Sequence, residues 1–312
     1  MIDCANIHGF NYQPSYGTSG LEIWQRFDAR VIDHELALGK KYFSKMNAIR
    51  LWLSGDAFQR DPRHVASNFD RALQIAHSHG LVVMPVLFNR WHDTKLDYGG
   101  IYFDHFLPGS SGLCSLELAR PFLEKIVGEH ADDPRIFCWD LCNEPNPATA
   151  YPTIEQAEYD WLAWLSNTCK QVGAKAPLTI GSHYGCRLAK VEAWSDLLSI
   201  HPYLFEDTAA GRAEFETILD DAVAIAKRTG KPLLAAETCW GSLDDATRVA
   251  NLRYTLGELK KRQIGWLAYG LHHSLIADLH RPEFGPVGVP GNLAFIEADG
   301  TLRPGHEAFN EF

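Results

Sequence analysis

The chain has 312 residues, 46% of them hydrophobic, with 29 Lys and Arg against 39 Asp and Glu, a formal charge of −10. A chain this long buries about 75% of its extended surface and needs no staple to support a core. Its charged fraction of 22% is that of a folded protein. The acidic balance repels phosphate backbones, so nucleic acid is not an expected partner, and no apolar run reaches the ~18–20 residues that span a bilayer.

In chain order, short apolar runs alternate with helical patterns. The expected strands are Asn6–Tyr12, Asn47–Leu53, Leu81–Phe88, Ile136–Asn143, Pro177–Gly181, Leu198–His201, Pro232–Glu237 and Ile264–Gly270. Several are apolar almost throughout, which means burial on both faces, as in parallel sheets. The intervening helices are expected over Asp61–His79, Ser115–His130, Thr153–Val172, Ala210–Thr229 and Leu243–Arg262. The first of these opens on Asp61-Pro62 and closes at Gly80, which supplies an N-cap, a proline at the first helical position and a glycine just past the end.

Eight strand–helix units with no Pro/Gly/Ser-rich linker predict a single α/β domain over residues 1–312, a (β/α)8 TIM barrel. An open doubly wound sheet is the rival, but strand one runs into Gln13-Pro14-Ser15-Tyr16-Gly17 rather than a glycine-rich phosphate turn. No Walker A, HExxH or GxSxG sequence is present. Such a barrel takes ~250 residues. The surplus falls in Asn89–Cys114 and Leu271–Pro304, so long loops are expected after strands three and eight.

Seven cysteines are scattered without a Cys-x-x-Cys pair, so buried free thiols in a reducing compartment are expected. Met1 leads into a polar segment and not a secretory leader; the sequence as written reads as cytoplasmic, and a secreted chain whose leader has been removed would look the same.

A barrel carries its site at the C-terminal ends of the strands. There the sequence places Arg50 on strand two, Trp91 and His92 after strand three, Asn143-Glu144-Pro145 at the end of four, and His183 after five. His201 and Tyr203 end strand six, Glu237 ends strand seven with Trp240 behind it, and Trp266 lies on strand eight. A carboxylate closing an apolar strand is costly to desolvate unless it is paired or hydrogen-bonded. A strand-end Glu can simply cap the next helix, but two of them at one barrel mouth, flanked by Asn, Arg and Tyr, fit glycoside hydrolysis. That reaction needs a proton donor at the leaving oxygen and a second carboxylate at the anomeric carbon.

This ordered set, Arg50, Asn143-Glu144-Pro145, His201-x-Tyr203, Glu237 and Trp266, resembles the clan A glycoside hydrolases, most of all the family 5 cellulase/mannanase group. The first strand, Gly9-Phe10-Asn11-Tyr12, looks like clan members acting on β-galactosides or β-mannosides. The group's Asp-x-His after strand three is replaced by Phe88-Asn89-Arg90-Trp91-His92-Asp93. The resemblance implies a retaining enzyme with Glu144 as acid/base and Glu237 as nucleophile, Arg50 and Tyr203 holding Glu237, and carboxyls ~5–5.5 Å apart. It further implies that Asn143 donates to the sugar 2-hydroxyl, that His201 orients the carboxylates, and that Trp266 floors the subsite. Trp91, His92, His183 and Trp240 are loop contacts in this reading, while an outward Trp52, pointing into the surrounding helices, is the alternative for strand two and Trp161, Trp164 and Trp194 belong to the core.

The expected substrates are β-linked glucosides, mannosides or galactosides, with exo action on short oligosaccharides. Endo action on a β-glucan or mannan, or a silent carbohydrate-binding barrel, are the alternatives. The histidine-rich stretch Leu271–His280 matches no metal-ligand set, and neither metal nor cofactor is expected.

Overall fold

Residues 3–90, 101, 103–107, 109, 116–145, 147, 151–183, 187–276 and 293–312 are described by a computed structural model of the chain. Eight strands, β1 (His8–Tyr12), β2 (Ala48–Trp52), β3 (Val82–Val86), β4 (Trp139–Asn143), β5 (Leu178–Ser182), β6 (Leu198–Ile200), β7 (Leu233–Thr238) and β8 (Gly265–Tyr269), close into one barrel in chain order. Every neighbouring pair is parallel, and β8 pairs back onto β1. The (β/α)8 architecture expected from the alternating pattern is therefore the one that forms. The loops expected after β3 and β8 fall largely outside the described residues, as do Trp91, His92, Cys114 and Cys186.

The helices are α1 (Gly20–Gln25), α2 (Ala29–Tyr42), α3 (Gly55–Arg60), α4 (Pro62–Ser78), α5 (Leu116–Glu129), α6 (Pro152–Gln171), α7 (Leu188–Val191), α8 (Ala209–Thr229) and α9 (Asp245–Lys261). The sequence signals at α4 work as physics requires. Asp61 accepts from the His64 N–H at 3.1 Å, Pro62 occupies the first turn, and Gly80 takes the left-handed φ of 71° just beyond the end. Among the described residues no helix is long and apolar enough to cross a membrane, and the five described cysteines are buried.

Side chains alternate across each strand, which builds two apolar layers. Outward residues such as Ile49, Leu51, Val83 and Trp139 pack with the helices. Inward residues Ala48, Met84, Cys138, Leu234, Ala236 and Leu267 fill the lower barrel. Above this plug the inward side chains become polar, and that change sets the depth of the site.

The rim is pinned by Arg248 of α9, which is fully buried. Its Nη1 donates to the Cys239 carbonyl at 2.6 Å, and its Nη2 donates to the carbonyls of Tyr269 at 2.7 Å and Leu293 at 2.9 Å. No carboxylate among the described residues bonds it, and burial pushes its pKa down to about 10. One guanidinium thus ties the exits of β7 and β8 together. Substituting Arg248→Met orphans three carbonyls, at about 1–3 kcal/mol for each one left dry. Urea denaturation of the variant should show a loss of ~3 kcal/mol or more.

Candidate active site

The polar layer is organised by Arg50, which enters the barrel from β2 between Ala48 below and Trp52 above. All five of its N–H donors are used. Nε donates to Asp140 Oδ2 at 3.1 Å, Nη1 to Asn11 Oδ1 at 3.0 Å and Glu237 Oε2 at 2.9 Å, and Nη2 to Asp140 Oδ2 and Asn143 Oδ1, both at 2.7 Å. Burial opposes the guanidinium charge, and the facing Asp140 and Glu237 more than offset it, so its pKa is raised. The web spans β1, β2, β4 and β7.

Asp140 and Asn143 are three residues apart, a spacing that would put them on opposite faces of a regular strand. The β4–β5 register shifts between these two residues, and both turn inward. The β7–β8 register shifts between Ala235 and Thr238, around Glu237. Such irregularities re-aim side chains next to functional sites. Asp140 is anchored in turn by the N–H groups of Cys142 at 3.2 Å and Gly181 at 3.1 Å. One amide hydrogen of Asn143 goes to Asn89 Oδ1 at 2.8 Å.

Glu237, buried at the top of β7, also accepts from the Tyr203 hydroxyl at 2.6 Å, so each carboxylate oxygen has a donor. Glu144, also buried, lies just past β4 with a left-handed φ of 46°, held by its N–H to the Gly181 carbonyl at 3.0 Å. A non-glycine residue in that region stores roughly 1–3 kcal/mol, a strain that concentrates at functional positions. Its Oε1 lies 2.8 Å from His201 Nδ1, while Oε2 is buried with no partner among the described residues. One carboxylate oxygen each from Glu144 and Glu237, and one ring nitrogen of His201, all lie within 4.8 Å of one another.

His201 is uncharged here. Burial pushes its pKa down to about 3; Arg50 and His183 act in the same direction, and the pull of Glu237 and Asp140 does not overcome them. The contact with Glu144 is therefore a hydrogen bond rather than an ion pair. A neutral imidazole accepts from a carboxylic acid in one tautomer and donates to a carboxylate in the other, so one contact serves both forms of Glu144.

The structure thus brings Arg50, Asn143, Glu144, His201, Tyr203 and Glu237 together. His183 stands half-buried at the end of β5, and Trp240 packs edge-on against Tyr203 with centroids 5.2 Å apart. Trp91 and His92 lie outside the described residues. Trp266 is a correction. It points into the outer core with Ala268 and stacks on His8 at 4.0 Å and 9°, so it cannot floor a sugar site. Strand alternation gives the inward, mouth-facing position on β8 to Tyr269, which packs edge-on against Trp52 at 6.0 Å.

Trp52 is a second correction, because it faces the barrel mouth with its ring 4.6 Å from the Arg50 guanidinium. The period-2 rule applied from Arg50 would have found it. Asn11 and Asp140 belong to the site as well, although neither is among the residues expected from the strand ends. Asp140 is the lone acid inside the apolar run Ile136–Cys142, a visible signal in itself.

No family model matches the chain. In fold it is similar to solved hydrolases of glycoside hydrolase family 5. The exo-β-1,4-mannosidase Op5Man5 from Opitutaceae bacterium strain TAV5 superposes with a TM-score of 0.74 at 20% identity, covering 98% of this chain and 58% of that one. The GH5_18 protein of Streptomyces cattleya, solved with GlcNAc, gives 0.79 at 16% identity, covering 98% and 79%. The endo-β-1,4-mannanase of Thermotoga petrophila gives 0.69 at 17%, covering 98% and 75%. Among curated proteins, the probable mannan endo-1,4-beta-mannosidase A-1 of Aspergillus terreus is 27% identical over 119 residues, 36% of this chain and 29% of that protein's length. Mannanases and mannosidases of family 5 thus belong to the group that the sequence itself resembles.

Two outcomes follow from this geometry. A Cβ on Gly181 would sit 2.9 Å from His201 Nε2 and 3.0 Å from Asp140 Oδ2. Gly181→Ala must displace one of them, and a displacement of this size should lower kcat by ~10–100-fold in steady-state assays. The second concerns pH. Burial lowers the pKa of His201 from 6.5 to about 3 and that of His306 to about 4. As the pH falls from 6.5 towards 3, the unfolded chain binds protons that the folded chain refuses, so stability falls with pH. Urea titrations across this window should show a flatter slope for His201→Gln.

Proposed function

We propose that this chain is a retaining β-glycoside hydrolase, with Glu144 as acid/base and Glu237 as nucleophile. The observation that carries the reading is the pair of buried strand-end carboxylates with oxygens within 4.8 Å of each other. Retaining enzymes hold their carboxyls ~5–5.5 Å apart, whereas inverting enzymes leave room for a water and need ~6.5–9.5 Å.

In the first step Glu237 attacks the anomeric carbon while Glu144 gives its proton to the leaving oxygen, and the glycosidic C–O bond breaks as the C–O bond to Glu237 forms. Arg50 and Tyr203 hold the two oxygens of Glu237, leaving the carboxylate one orientation from which to attack. Glu144 passes on the proton of its Oε2, and His201, donating from Nδ1 to Oε1, steadies the carboxylate left behind with no change of its own protonation. Water then attacks the anomeric carbon on the face the leaving group left, Glu144 takes its proton, and the C–O bond to Glu237 breaks, so the sugar is released with its configuration retained. Asn143, fixed by Arg50 and Asn89, offers its second amide hydrogen to the sugar 2-hydroxyl. Trp52 and Tyr269 supply the apolar wall beside that sugar.

β-Mannosides are the substrate class best supported, since similar proteins in sequence and in fold carry mannosidase or mannanase names. Turnover of nitrophenyl β-mannoside, β-glucoside and β-galactoside tests this directly. Glu144→Gln should cut kcat/KM for an unactivated disaccharide by ~10²–10⁴-fold, and Glu237→Gln should abolish turnover. Proton NMR of the first product should show the β-anomer; an α-anomer, or full activity in either variant, would falsify the assignment. Chain-length analysis of products from a β-mannan separates exo from endo action.

A further inference from the structure

Asn143 is gripped from both ends of its side chain and along its backbone. Its N–H donates to the Phe88 carbonyl at 2.8 Å, and its carbonyl accepts from the Arg90 N–H at 3.0 Å. Its side-chain Oδ1 accepts from Arg50 Nη2 at 2.7 Å. A guanidinium has donors only, so the amide oxygen must face Arg50 and the amide nitrogen must face away. That nitrogen donates to Asn89 Oδ1 at 2.8 Å, which fixes in turn which end of the Asn89 amide points at β4. The direction of donation therefore runs one way, from Arg50 through Asn143 to Asn89.

The two contacts do different things. A terminal amide turns about a broad, soft torsion, and a hydrogen bond at the oxygen alone leaves that rotation open. The second contact, at the nitrogen, closes it and sets the plane of the amide. Asn89 can do this because its own backbone is anchored. Its carbonyl accepts from the Ile101 N–H at 2.7 Å, and it pairs in parallel with Asn143. The next residue, Arg90, is buried with Nε 3.2 Å from Glu158 Oε1 on α6 and its guanidinium 5.7 Å from the centre of the Phe106 ring. An ion pair buried on both sides is costly to break, so the segment that carries Asn89 keeps its place against β4 and α6.

We propose that Asn89 is a specificity-determining residue, which chooses between sugars that differ in configuration at C2. The proposal rests on the hydrolase reading above and deepens it. A β-mannoside and a β-glucoside differ only in whether the 2-hydroxyl is axial or equatorial. In that reading the 2-hydroxyl meets the remaining amide hydrogen of Asn143, and the plane of this amide sets the direction of that hydrogen. With the plane locked, one epimer is met in line and the other is not. With the lock removed, the amide turns to follow either hydroxyl, and the discrimination is lost. Asn89 touches none of the reacting atoms; it acts through Asn143.

The test is the ratio of kcat/KM for nitrophenyl β-mannoside to that for nitrophenyl β-glucoside. Asn89→Ala should move this ratio at least ~fivefold towards one, because the contact that tells the epimers apart is no longer aimed. Asn89→Leu keeps the volume but removes the acceptor, so it should move the ratio in the same way and stands in if the alanine variant does not fold. Asn89→Asp keeps an acceptor at Oδ1 and should hold the ratio within ~twofold of the wild type. A loss shared equally by both substrates, or a ratio that none of the variants moves, overturns the role of Asn89 and leaves the hydrolase reading intact. So does a wild-type protein that prefers neither epimer. A wild-type protein that cleaves neither glycoside overturns both.

Discussion

The guanidinium of Arg50 is the contact on which the site is built. A cation at the axis of a barrel, above an apolar plug, is tolerable only when its charge and all its donors are met. Here Asp140 and Glu237 meet the charge, and five hydrogen bonds to four side chains meet the donors. The dependence is mutual. Without Arg50, Asp140 and Glu237 would be two buried anions sharing one cavity, and Asn11 and Asn143 would lose the donor that orients them. The group that solves this burial problem therefore also fixes the geometry of the candidate nucleophile.

The partner carboxylate is held by different means. Among the described residues no cation bonds Glu144; its restraints there are a left-handed backbone, one N–H to Gly181 and a neutral imidazole at 2.8 Å. A carboxylate whose two oxygens are held by Arg50 and Tyr203, opposite one that meets a neutral ring, is a division of environments. Such a division lets two residues of the same type take two roles. Gly181 belongs to this device, since a Cβ there would sit 2.9 Å from His201 Nε2 and 3.0 Å from Asp140 Oδ2 and force a shift.

The strands, their order and the two glutamates were legible in the sequence, because apolar runs, caps and strand ends are local signals. The errors fall where orientation matters. Position on β8 alone suggests Trp266 as a sugar platform, whereas alternation turns it outward against His8 and gives the inward position to Tyr269. Trp52 shares the parity of Arg50 and lies above it, so it faces the mouth and not the helices. Asp140 lies inside the apolar run of β4 rather than at its exit, where the strand-end rule does not reach it.

The sequence by itself determined that eight strand–helix units would close into a parallel barrel with two carboxylates at its mouth. The cause is that hydrophobic period and capping chemistry act over a few residues at a time. Only the tertiary structure decided which side chains share the cavity. Register shifts on β4 and β7 turn Asp140, Asn143 and Glu237 towards one guanidinium. Residues as far apart as Arg50 and Glu237 meet because the strands close a ring. A strand's register against its neighbours is a property of the closed sheet, and no local stretch of sequence carries it.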